Sequence, residues 1–242
     1  MRVYVAALAA VAVAAVFATG ATVVAAGRGD SAPGPAAAEA RGGPGTPATS
    51  PDPASPDAGF ARDMSVHHQQ AVEMSFVVRD RTGDEDVRRL AYDIANTQAN
   101  QRGMMLGWLD LWGLPKVAPA LPPMSWMHEG GSGGEDAAGT AGMPGMPGMD
   151  HGGAVTKPGA LMPGMATKEE IARLGTLSGR EAEVFWLRLM TEHHKGGVAM
   201  AEGCARLCEV PTQRKLAQGM VDAQRSEIAL MADMLRARGA TP

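Results

Sequence analysis

The chain has 242 residues and a formal net charge of -4, with 45% hydrophobic but only 4% aromatic side chains. With no basic cluster and few aromatics it lacks the electrostatic footprint that a phosphate backbone selects, which sets nucleic acid aside as a partner. The length would hold one or two ordinary domains, but the ends and the middle are compositionally poor, so the part that folds is smaller.

Residues 1–26 read as a secretory signal peptide or an uncleaved membrane anchor, because Val3 to Ala26 carry no charge, follow a lone Arg2 and are mostly Ala and Val. Either form exports the body, and the membrane is touched only through this segment. Residues 27–56 are Pro, Ala, Gly, Ser and Thr with almost no large apolar side chains and predict a disordered tether. A foldable region follows over 57–238.

Ser55-Pro56 is an N-cap followed by proline at the first helical position, and predicts a helix over about 56–80. Its inward stripe is Phe60, Met64, His67, Ala71, Met74 and Val78, spaced by three and four as one helix face requires. After Arg81-Thr82-Gly83, Asp84 caps a second helix over 84–112 with Val87, Leu90, Ile94, Gln98, Gln101, Met105, Trp108 and Trp112 inward. Leu114-Pro115 stops it.

The segment 115–166 is rich in Gly, Pro and Met and is expected to be loop. Met124, Met127, His128, Met143, Met146, Met149, His151, Met162 and Met165 make it either a flexible metal-capturing arm or a tolerant linker. A capping box, Thr167-Lys-Glu-Glu170, predicts a short helix over 168–174. Ser178-Gly-Arg-Glu181 opens a third long helix, 179–208, with Met190, His193, Gly197, Met200, Cys204 and Cys208 on one side. A fourth runs over 212–238 with Leu216, Met220, Ala223, Glu227, Met231 and Met234 inward, and Gly239 ends it.

The two halves are copies. Met64-x-x-His67-His68 with Met74 returns 126 residues later as Met190-x-x-His193-His194 with Met200, and Gln98, Gln101 and Met105 return as Gln224, Glu227 and Met231. Four of the chain's six histidines stand in this motif. The expected fold is all-α: a ferritin-like four-helix bundle of two duplicated antiparallel hairpins. A turn near 81–85 sets His67 opposite Gln98 and Gln101, and a turn at Val210 sets His193 opposite Glu227, with Met190 near Met231.

Such groups must pair or bind a ligand, because an unsatisfied buried polar group costs about 1–3 kcal/mol. They could be satisfied core hydrogen bonds among methionine filler, or a metal site. Cys204 and Cys208 stand one turn apart, as a Cu(I) thiolate site or as two small core residues. An intrahelical disulfide is awkward there unless the helix frays before Pro211.

On these motifs the chain resembles the domain of unknown function family numbered 305, over about Asp57 to Arg238. The resemblance rests on both His-His segments, the paired Gln98-x-x-Gln101 and Gln224-x-x-Glu227 segments, and Met162-Pro-Gly-Met165. It implies a ferritin-like helical bundle, usually exported, with some members linked to copper binding or copper tolerance. Two departures stand out: Gln101 occupies a position where the family commonly has Glu, and Cys204 and Cys208 correspond to Val78 and Thr82 in the first half.

Thioether and thiol donors select Cu(I), and imidazole with carboxylate or amide suits Cu(II) and zinc. The expected metal is copper, with zinc the alternative. Its primary ligands are His67, His68, His193 and His194, its soft contributors Met64, Met74, Met190 and Met200, and the orienting partners Gln98, Gln101, Gln224 and Glu227. Cys204, Cys208, Met143, Met146 and Met149 are further soft candidates. Partners would be the metal ion and other copper-handling proteins. A di-metal redox enzyme would need Glu-x-x-His, which is nowhere in the chain. The remaining alternative is a metal-independent extracytoplasmic interaction module.

Overall fold

Ser55 accepts a hydrogen bond on Oγ from the Ala58 amide at 3.3 Å, and Pro56 takes the first helical position, so α1 (Pro56–Arg79) starts where its cap stands. The structure, a computed structural model, describes residues 50–127 and 156–242; the N-terminal apolar segment, most of the tether, and His128, Met143, Met146, Met149 and His151 lie outside. Asp84 caps α2 (Glu85–Leu111) by accepting from the Val87 amide at 3.0 Å. Both bonds of the Thr167–Glu170 capping box form at α3 (Lys168–Thr176). The two remaining helices are α4 (Gly179–Leu207) and α5 (Pro211–Ala237), and the described residues include no strand.

Ser178 departs from expectation, since its side chain makes no capping bond. Gly179 adopts φ +52°, open to glycine at little cost, and its N–H goes instead to the Arg81 carbonyl at 2.7 Å in the first hairpin. Gly239, at φ +63°, ends α5 as its position predicts.

α1 packs along α2 and α4 along α5, and the hairpins meet chiefly through α1 and α4. Every expected inward residue of α1 and α4 is buried. On α2 the buried face drifts to Leu109, leaving Trp108 and Trp112 half-buried; on α5, Ala217, Val221 and Gln224 turn inward while Ala223 is exposed. The apolar core comes in two parts. One holds Met74, Val78, Val87, Ile94, Trp186, Met190 and Met231, the other Phe60, Met64, Met105, Leu109, Met200 and Met220. The four paired histidines belong to neither and form a polar layer between them.

The described parts of the 115–166 segment are packed. Trp126 sits on Gly59, where a Cβ would come within 2.3 Å of its ring. Asp63 holds it there, accepting from the indole Nε1 at 2.9 Å and the Met124 amide at 2.7 Å. Met162 and Met165 are 1% and 5% exposed, so they are core residues and not part of a free arm. Proline and glycine mask this packing in the sequence by erasing any periodicity.

Two buried carboxylates, related by the internal repeat, tie the hairpins together. Asp57 on α1 accepts from the Glu209 and Val210 amides at 2.8 and 2.9 Å, closing the α4–α5 turn. Glu183 on α4 accepts from Thr82 Oγ1 at 2.5 Å in the α1–α2 turn, and from Arg238 Nε at 2.7 Å. Among the described residues no helix is long and apolar enough to cross a membrane.

Candidate metal centre

His67 and His193 face each other where α1 crosses α4. Their ring centroids lie 3.7 Å apart with the planes inclined by 34°, and His193 Nε2 donates to the His67 carbonyl at 3.0 Å. Both rings are fully enclosed. Each neighbour turns to its own hairpin partner: His68 Nε2 bonds Gln101 Oε1 at 2.8 Å, and His194 Nε2 bonds Glu227 Oε2 at 2.7 Å. Sequence pairing therefore named the right partner helices but the wrong member of each doublet. Adjacent helical residues point about 100° apart, so a shift of one residue sends His68 and His194 to the amide and carboxylate and leaves His67 and His193 for the other hairpin.

These bonds fix the tautomers. An imidazole nitrogen facing a carbonyl, amide oxygen or carboxylate must carry the hydrogen, so Nε2 is the donor in His68, His193 and His194, and in the neutral rings of His68 and His193 the other nitrogen, Nδ1, holds a lone pair. All three Nδ1 atoms are buried without a partner, as are the Oε1 atoms of Gln98 and Gln224, and both nitrogens of His67 fall outside full hydrogen-bond geometry although the Pro163 carbonyl is within reach of one. The layer is thus rich in acceptors and poor in donors. At about 1–3 kcal/mol for each unsatisfied group, leaving all of them bare would cost on the order of 10 kcal/mol, comparable with the whole stability of a domain. They require water or a cation.

Burial is the leading reason that three of the rings stay uncharged. It pushes His67 down to about 3, with the charges of His68 and His194 adding to the effect and the Pro163 carbonyl opposing it. His68 falls to about 4 by burial, against the pull of its Gln101 bond. His193 is lowered well below the ordinary histidine value by burial and by the imidazoles of His67, His194 and His68. Neutral pH therefore presents these lone pairs without competing protons.

Thioethers stand on both sides of the layer. Met64 and Met200 lie fully buried in one apolar cluster, and Met74 and Met190 in the other. Among the described residues no three His, Cys, Asp or Glu side chains group as a metal cage. Cys204 and Cys208, the further soft candidates, are joined to each other in a disulfide. Cys208 is the extended C-cap of α4, beyond the last helical residue, which frees its side chain from the parallel alignment that would bar the bond.

A strap that sequence reasoning missed lies beside the rings. Gln70, two residues after His68, donates to the Ala166 carbonyl at 2.9 Å and accepts from the Ala166 amide at 2.7 Å. On the other side the strap presses on α4, where a Cβ at Gly196 would come within 2.1 Å of the Pro163 oxygen. A Cβ at Gly197 would meet Gln224 Oε1 at 2.4 Å. The Gly196-Gly197 pair, separated from His193-His194 only by Lys195, was the available signal for this close approach.

A putative secreted protein from Streptomyces coelicolor has a crystal structure that is similar to this chain at 57% identity, covering 78% of this chain and 98% of its own, with a TM-score of 0.64. A fragment from Deinococcus radiodurans is similar at 29% identity, covering 75% and 96%, with a TM-score of 0.55. CopM in its Cu(I)-bound form shares the fold at 19% identity, covering 75% and 96%, with a TM-score of 0.50. Comparison with curated proteins gave no match. Residues 57–235 match the family described as Domain of unknown function (DUF305), and the chain belongs to that family.

Proposed function

We propose that the protein is an exported copper-binding protein that buffers, scavenges or carries copper through its paired Met-x-x-His-His motifs. His67, His68, His193 and His194 supply nitrogen, Met64, Met74, Met190 and Met200 supply sulfur, and Gln98, Gln101, Gln224 and Glu227 orient the rings. One observation carries the reading: a buried layer of imidazole nitrogens and amide oxygens that lack hydrogen-bond partners.

The donor set favours copper over zinc. Zinc is held by thiolate, imidazole or carboxylate and does not call on thioethers. Here the buried groups are imidazoles with flanking thioethers, chemistry that suits low-coordinate Cu(I). The similar protein from Streptomyces coelicolor is described as secreted, in keeping with export. CopM, which has this fold, is described in both Cu(I)-bound and Cu(II)-bound forms.

The test is a Cu(I) competition titration of the oxidised full chain, with Cu(II) and zinc in parallel, beside a variant carrying His67→Ala, His68→Ala, His193→Ala and His194→Ala. Tight Cu(I) binding is expected in the wild type alone. Equal binding by both would remove the layer from the site, and binding by neither would favour a metal-independent interaction module.

A further inference from the structure

We infer that the Cys204–Cys208 disulfide masks a second soft-metal site, distinct from the histidine layer, which opens when the bond is reduced. The two cysteines are 0% and 1% exposed and sit in the apolar cluster that also holds Met64, Met105, Met162, Met165, Met200 and Met220. This half of the core is unusually rich in sulfur, whereas the opposite half has no cysteine.

The backbone already holds the pair in chelating register. The Cα atoms are 4.8 Å apart, and the Cys208 amide still donates to the Cys204 carbonyl at 2.9 Å, so breaking the sulfur–sulfur bond leaves both thiols on one turn. Reduction by an external dithiol transfers two electrons and two protons, giving two Cys thiols and the oxidised reductant. Binding one Cu(I) then releases both protons and forms a two-sulfur centre of net charge -1. Two thiolates at a helix end satisfy Cu(I), which accepts low coordination and prefers soft donors, but not zinc, which seeks four.

The charge has an answer nearby. Arg214 Nη1 donates to the Cys208 carbonyl at 3.2 Å, placing a guanidinium at this turn, while the Asp57 carboxylate is already engaged by the Glu209 and Val210 amides. Cys208 closes the C-terminus of α4, whose dipole disfavours an anion, and stands two residues before the N-cap of α5, whose dipole favours one, so the two helix ends offset each other. Oxidised protein would keep only the histidine layer, and reduced protein would gain capacity.

The experiment titrates Cu(I) against a competing chelator into oxidised and dithiol-reduced full chain, without oxygen. The reduced form is expected to take up about one further Cu(I) per chain, with a sulfur-to-copper charge-transfer band growing in step. That increment should vanish in C204S/C208S and in C208S, and persist in the variant lacking all four paired histidines. Helix content measured by circular dichroism identifies which cysteine variant is folded. Equal uptake in both redox states, or an increment surviving in a folded C208S chain, would overturn the site. The oxidised arm reports on the histidine layer alone, so failure there is separable from failure here.

Discussion

The His193 ring lies 3.7 Å from the His67 ring and donates to the backbone carbonyl of that same residue, whereas His67 reaches only the Pro163 carbonyl, short of full hydrogen-bond geometry. The internal twofold is therefore broken at its centre. One imidazole is a structural strut and the other is a poorly satisfied group held in place by its surroundings.

His67→Phe should separate stability from binding. It replaces two poorly satisfied nitrogens with an apolar ring of similar shape, and relieving such groups is neutral or stabilising, by up to about 2 kcal/mol. Urea unfolding of the metal-free variant is expected to match or exceed wild type, while its Cu(I) affinity falls. A loss of several kcal/mol in the metal-free state would mean that His67 has a hydrogen-bond partner after all.

Acid should unfold the protein early. His67 and His68 titrate at about 3 and about 4 in the folded chain, and burial lowers His193 in the same direction. In the unfolded chain they titrate near 6.5, so below that pH the unfolded state binds more protons than the folded one. Stability is fully present above about pH 6.5 and is lost as pH falls towards 4, at roughly 1.4 kcal/mol per pH unit for each such histidine. Denaturant titrations at several pH values test this, and the slope should shrink in the variant lacking the four histidines.

Asp57→Ala and Glu183→Ala should each cost about 2–4 kcal/mol, because each removes a buried acceptor and strands its donors, which include groups in the turn of the opposite hairpin. Urea midpoints at neutral pH are the readout. A change below about 0.5 kcal/mol, the range of ordinary surface substitutions, would show that the turns close without these carboxylates.

Gly196→Ala should cost more than Gly197→Ala. The first drives a methyl into the Pro163 backbone, which cannot yield without moving the strap, and the second meets the end of the Gln224 side chain, which can rotate. About 2–3 kcal/mol against about 1 kcal/mol is expected by thermal or chemical denaturation. The reverse order would show that the strap is not seated against α4.

Glu227→Ala should weaken copper binding by about 10–100-fold with little change in stoichiometry, since it frees the His194 ring to rotate. The competition titration that defines the site measures it. Unchanged affinity would take His194 out of the metal centre.

Much of this arrangement was legible in the residues. Ser55-Pro56, Asp84 and the Thr167–Glu170 box fixed three helix starts, because capping is a local interaction between a side chain and amides two or three positions on. The repeat at 126 residues disclosed the two hairpins. The histidine doublets were found, but which ring of each faced its own hairpin was not, because that depends on a one-residue shift in packing between helices. Ser178 does stand at the N-cap of α4, but its side chain makes no bond there, and the contact of the Gly179 amide with the distant Arg81 carbonyl is invisible in a local pattern. Trp126, Met162 and Met165 lie in segments without a period, where burial leaves no trace in the sequence.

The exchange of carboxylates between turns says something about ancestry. Asp57 finishes a turn that belongs to the second hairpin, and Glu183 one that belongs to the first. A single hairpin would carry both an unfinished turn and a spare carboxylate, which is the self-complementary surface of a twofold dimer. The duplicated chain holds that dimer in covalent form, and expressing its halves as two separate polypeptides should rebuild it by association.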